Sequence, residues 1–105
     1  MDKGEAIEIA QRYLKNIGKK YQIVNAIIFG SYARGTQHRD SDIDLAIVFK
    51  TVDDIIDMQI ELMKMRTDED LLIEPHPFSL SDFDISNPVV SEILKTGTEI
   101  QLFTS

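Results

Sequence analysis

Apolar residues recur along residues 4–19 at the spacing of a helix. Ala6, Ala10, Tyr13 and Ile17 fall at intervals of 4, 3 and 4, and Ile9 and Leu14 widen the stripe. Gly18 and the pair Lys19-Lys20 suit the C-terminal end, where cations meet the negative pole of the helix dipole. The period then changes. Val24 to Phe29 is a short apolar run broken only by Asn25, and the Gly30 behind it favours a buried strand over a helix. Residues 30–41 hold two glycines and a dense polar set, which predicts a turn, with room for one helical turn, and a loop. From Asp42 to Phe49 the alternation is strict: Ile43, Leu45, Ile47 and Phe49 share one face, and Asp42, Asp44, Ala46 and Val48 the other.

Asp53 and Asp54 open a second long helix that runs to about Arg66. Ile56, Ile60 and Met63 form a row on it, and Ile55, Met58, Leu62 and Met65 broaden the face expected to be buried. After an acidic turn, Thr67 to Asp70, the segment Leu71 to His76 predicts a third strand with Leu72, Glu74 and His76 on one face. Pro75 and Pro77 cannot donate ladder hydrogen bonds, so this strand should lie at an edge or end early. A polar stretch, Ser79 to Asn87, leads to Pro88 at a first helical position, and Gly97 stops the short helix carrying Val89, Val90, Ile93 and Leu94. Glu99 to Phe103 predicts a last strand. No repeat or linker interrupts this order. The expectation is one compact α/β (α+β) domain over residues 1–105, a small mixed sheet of about four strands flanked by helices.

Composition narrows the function. A chain of 105 residues has room for one core and no separate substrate domain. Eleven basic against 18 acidic residues leave a formal charge of −7, which phosphate backbone repels, so no direct nucleic-acid binding is expected. With no cysteine there is no thiolate nucleophile and no cysteine zinc site. The polar start, Met1-Asp2-Lys3-Gly4-Glu5, is no signal peptide, and no apolar run approaches the roughly 18 residues of a membrane span. A cytoplasmic location is the expectation.

The chemistry concentrates between Phe29 and Leu45. A glycine and a serine directly after a strand let the backbone approach a ligand closely. A helical turn starting at Ser31 would present free N–H groups to phosphate, with Arg34 in reach. Asp42 and Asp44 stand two positions apart on a strand, so both carboxylates leave the same face. Such a pair repels by about 1 to 4 kcal/mol, depending on the local dielectric. A cation between them removes that cost, and hard oxygen donors suit Mg²⁺ bound together with substrate phosphates. Phosphate cradle and metal pair together are what nucleotidyl transfer needs. A two-metal site usually needs a third acidic ligand, and Glu74 is the candidate.

At these residues the chain resembles the nucleotidyltransferases of the polymerase-β superfamily. The resemblance rests on Gly30-Ser31, ten intervening residues, Asp42-Ile43-Asp44-Leu45 and the later Ile73-Glu74. More narrowly, Gly30-Ser31-Tyr32-Ala33-Arg34-Gly35 is similar to the minimal nucleotidyltransferases (MNT) often paired with HEPN proteins. The resemblance implies the superfamily's palm fold. It also implies that Gly30 and Ser31 contact nucleotide phosphates, that Asp42 and Asp44 hold Mg²⁺, and that Glu74 completes the site as a metal bridge or proton acceptor. The implied reaction moves a nucleoside monophosphate from an NTP, ATP being the expected one, to a hydroxyl. The implied acceptor is a tyrosine on a HEPN-type toxin, which makes the chain its antitoxin. Pro75 departs from the family pattern, which more often has an apolar residue with a free N–H there.

Blander readings apply to other residues. His38 and Arg39 read as loop surface, Tyr32 as a core anchor, and Met58, Met63 and Met65 as core that could double as a dimer face. Arg34 reads equally as a phosphate ligand or as a partner of Asp40. His76 shares the face of Glu74 but reads as structural, at most at the rim of the site. The competing functions are a small-molecule nucleotidyltransferase of the antibiotic-resistance kind, working with a separate helical subunit, and a non-catalytic antitoxin that acts by binding. Either way a homodimer or heteromeric complex is expected, because a domain this small leaves half of the substrate site unbuilt.

Overall fold

A computed structural model describes residues 2–37 and 41–102. The elements follow the predicted order: α1 (Lys3–Gly18), β1 (Ile23–Phe29), α2 (Ser31–Arg34), β2 (Ile43–Phe49), α3 (Ile55–Lys64), β3 (Ile73–Ser79), α4 (Pro88–Thr96) and β4 (Thr98–Glu99). Each long helix starts on a side-chain cap: Asp2 accepts from Glu5 N–H, Asp54 from Asp57 N–H, and Asn87, just before Pro88, from Val89 N–H. The four strands form one mixed sheet in the order β3-β2-β1-β4. β1 runs antiparallel to both β2 and β4, and β2 pairs with β3 in parallel. Asn25, the polar residue inside β1, sits at a shift of register and accepts from the N–H of Ala26 at 2.9 Å.

The strict alternation of β2 divides the molecule. Ile43, Leu45, Ile47 and Phe49 face a core shared with Ala26, Ile28 and Ile73, against Ala6, Ala10, Tyr13, Leu14 and Ile17 of α1 and Leu62 of α3. On the other face Ala46 meets Ile27 and Ile93 of α4, with Phe29, Phe78 and Phe83 around them. Gly97 ends α4 so close to Ile27 that a Cβ there would collide with it.

β3 occupies the edge, as its prolines require, yet it continues to Ser79 instead of stopping at His76. Ile43 N–H donates to Leu72 C=O at 2.7 Å. The alternation of a parallel ladder then turns the backbone of Glu74, His76 and Phe78 toward β2, and that of Pro75 and Pro77 outward. Neither proline therefore removes a ladder bond. Helix α3 covers this edge: Gln59 Nε2 donates to Pro75 C=O at 3.1 Å, and Arg66 Nη1 donates to the carbonyls of Leu71 and Ile73, both at 3.1 Å.

Helix α3 corrects one expectation. Its row Ile56, Ile60 and Met63, predicted to be buried, is exposed at 69%, 47% and 40%, and Ile55 is exposed too. Leu62 is the fully buried residue, with Met58 and Met65 packed beside it. Polar anchors set this rotation. Tyr13 OH donates to Leu62 C=O at 2.5 Å, Gln59 reaches the β3 edge, and Glu61 accepts from Tyr21 OH at 2.6 Å and from Lys20 Nζ at 2.9 Å. Burial pushes the Tyr13 phenol well above its ordinary range, so it stays a donor at any working pH. The last strand is shorter than predicted: β4 covers two residues, although Ile100 N–H still donates to Ala26 C=O at 2.8 Å. Phe103 lies outside the described residues. Among those described, no helix is long and apolar enough to cross a membrane.

Candidate active site

The site lies where β1 ends beside β2 and β3. Register places Phe29 opposite Asp44 and Asp44 opposite Glu74, one row across three strands; the next row is Ile27, Ala46 and His76. Since successive side chains alternate faces, both rows leave the sheet on the α4 side. Ala46 carries only a methyl group, so the His76 ring has space to lean diagonally toward Asp44. Its Nε2 lies 3.2 Å from Asp44 Oδ1. The Phe29 ring packs against the imidazole, with centroids 5.1 Å apart and planes at 59°. The side chains of His76 and Asp44 are about a third exposed, at 30% and 27%, so the pair is held by neighbours but open to a ligand.

Gly30 makes the opposite wall. Its backbone has φ 74° and ψ −147°, a region that side-chain-bearing residues rarely adopt. A Cβ there would also overlap Oδ2 of Asp44. The carboxylate therefore rests against bare backbone. Directly after Gly30 the single turn of α2 begins at Ser31, and it closes on Gly35, which is left-handed with φ 75°. Arg34 is the last residue of that turn and is exposed.

Asp44, Glu74 and His76 each offer a ligand atom, and the three atoms lie within 4.8 Å of one another. The two carboxylates are oxygen donors that fit the Mg²⁺ the sequence motif implies, and the imidazole adds a nitrogen donor that suits first-row transition ions. Asp42, predicted beside Asp44, stands outside this group and is exposed. It directly precedes Ile43, the first residue of β2. Of the predicted site residues, then, the structure brings Asp44, Glu74 and Gly30 together, with Ser31 next in chain, while Asp42 and Arg34 are exposed. His38, Arg39 and Asp40 lie outside the described residues. The sequence put His76 at most at the rim of the site and gave Phe29 no role, whereas the structure sets the imidazole against both Asp44 and Phe29. The signal for both was the strand register, which carries Phe29 opposite Asp44 and His76 one row from it.

Family comparison agrees with this architecture. The family model for polymerase β nucleotidyltransferases matches residues 12–102. The chain belongs to that family. A Methanocaldococcus jannaschii protein assigned by name to protein adenylylation is 32% identical over 91 residues, covering 87% of this chain and 89% of its own. Shorter matches, to two more proteins of that name from the same organism, span 60% and 45% of those proteins' lengths. Among solved structures, a Sulfolobus solfataricus protein assigned as a nucleotidyltransferase superposes with a TM-score of 0.63 at 20% identity, over 75% of this chain and 71% of that one. A toxin–antitoxin complex with AMP-PNP superposes with a TM-score of 0.56 at 20% identity, over 99% and 76%. Both share the fold.

Proposed function

We propose that this chain transfers the nucleoside monophosphate of an NTP, AMP from ATP, to a hydroxyl of a partner protein. The observation that carries the proposal is the row of Asp44 and Glu74 beside the glycine notch at Gly30, set in a nucleotidyltransferase fold. The acceptor oxygen bonds to the α-phosphorus, the α–β phosphoanhydride bond breaks, and pyrophosphate leaves. Asp42, Asp44 and Glu74 are the residues that would hold Mg²⁺. When bound, the cation shields the triphosphate and stabilises the leaving pyrophosphate. Glu74 would either complete the metal site or accept the proton of the incoming hydroxyl. Gly30 and Ser31 admit the phosphates to the backbone after β1, and Arg34 supplies positive charge at the end of the same turn.

A protein acceptor is favoured by the relatives whose names assign them to protein adenylylation. We assign it as a tyrosine on a HEPN-type toxin, the chain acting as antitoxin in the cytoplasm. Co-expression with a HEPN-type helical protein, followed by mass spectrometry, tests this. An adenylyl group on a partner tyrosine, absent with Asp44→Asn, is the expected result. An unmodified partner in a tight complex would instead identify an antitoxin that works by binding alone.

A further inference from the structure

We infer that His76 is itself a ligand of the site's cation, which tunes the site toward Mn²⁺ over Mg²⁺; this rests on the reading of Asp44 and Glu74 as metal ligands. The geometry is the first reason. Two ligands at right angles on an ion, each about 2.1 Å away, lie about 3 Å apart. Nε2 of His76 and Oδ1 of Asp44 are 3.2 Å apart and share a hydrogen bond, a spacing that suits two ligands of one ion once the shared proton leaves. Glu74 brings a third donor within 4.8 Å. The second reason is how the ring is held. Phe29 packs on it from β1, Ala46 leaves it room, and its distal nitrogen points at the carboxylate.

The consequence is chemical. Mg²⁺ is a hard ion that takes oxygen donors, whereas imidazole suits softer first-row ions. Replacing a carboxylate or a water by an imidazole nitrogen therefore costs Mg²⁺ affinity and favours Mn²⁺. A site with Asp44 and Glu74 alone would hold the two ions more evenly.

The probe is Mn²⁺ alone, added to the full chain, with electron spin echo envelope modulation to detect nitrogen bound to the ion. The chain has two histidines, so His38→Gln leaves His76 as the sole one. In that protein we expect a ¹⁴N coupling that changes to ¹⁵N on labelling with ¹⁵N-histidine. We expect His76→Gln to abolish it, to weaken Mn²⁺ by about 10-fold or more, and to change Mg²⁺ affinity less. Mn²⁺ binding that Asp44→Asn removes but His76→Gln leaves untouched, without nitrogen coupling, overturns this inference and spares the proposed function. No Mn²⁺ binding to the wild-type chain overturns both. The labelled His38→Gln protein keeps the test decisive even if His76→Gln fails to fold.

Discussion

Replacing Gly30 by alanine should damage the site through one contact that can be isolated. Two costs are expected. The backbone at φ 74° and ψ −147° lies in a region reserved largely for glycine, and holding another residue there costs about 1 to 3 kcal/mol. The new Cβ also falls on Oδ2 of Asp44, with Cγ of Asp44 only 3.3 Å away. The carboxylate must swing aside, which separates Oδ1 from His76 Nε2. Gly30→Ala should therefore lower the melting temperature by about 4–8 °C for each kcal/mol and weaken divalent-ion binding. The pair of costs is separable by a double-mutant cycle with Asp44→Ala. Without the carboxylate only the backbone term remains, so the two substitutions should be less than additive, by about 0.5 to 3 kcal/mol. Chemical denaturation of the four proteins measures it. Strict additivity would refute the close approach of Gly30 to Asp44.

Other consequences are simpler to read. Leu62→Ala should cost about 2–5 kcal/mol, as for a fully buried leucine, while Ile56→Ala on the exposed row stays within about 0.5 kcal/mol; the reverse order in urea denaturation would restore the predicted rotation of α3. Tyr13→Phe removes the bond to Leu62 C=O and should destabilise by about 1 kcal/mol; an unchanged denaturation midpoint would show that bond to be inconsequential. The hydrogen bond from Tyr21, and then Lys20, holds the Glu61 carboxyl below its usual range. Its contribution is thus fully present above the ordinary glutamate pKa of about 4.3 and fades as pH falls through the lower folded value. Melting temperatures of the wild type and Glu61→Gln should converge in acid, and a gap unchanged down to pH 2 would contradict this.

How much of this was legible depended on what each residue's neighbours constrain. Strict alternation in β2 predicts both faces, because Ile43, Leu45, Ile47 and Phe49 have no other way to share a core. The edge position of β3 followed from Pro75 and Pro77, and only the ladder phase showed that they cost it nothing. The rotation of α3 was not legible: seven of its residues and close neighbours are apolar, so periodicity leaves more than one burial face, and Tyr13, Gln59 and Glu61 decide between them from distant contacts. Asp44 and Glu74 could be read as a pair of facing carboxylates, whereas the place of His76 beside them needed the parallel register of β3 on β2. Asp42 shows the limit of the alternation rule. It lies one residue before β2 and is exposed, so alternation alone does not place its carboxylate.

The central claim is that Asp44 and Glu74 form a metal-dependent nucleotide site. Calorimetric titration of Mg²⁺-ATP, and of ATP without metal, into the wild type and Asp44→Asn tests it most directly. The account predicts binding that requires the metal and is lost in the variant, with the variant's melting temperature close to that of the wild type. Equal binding by both proteins, or none by the wild type, would contradict it.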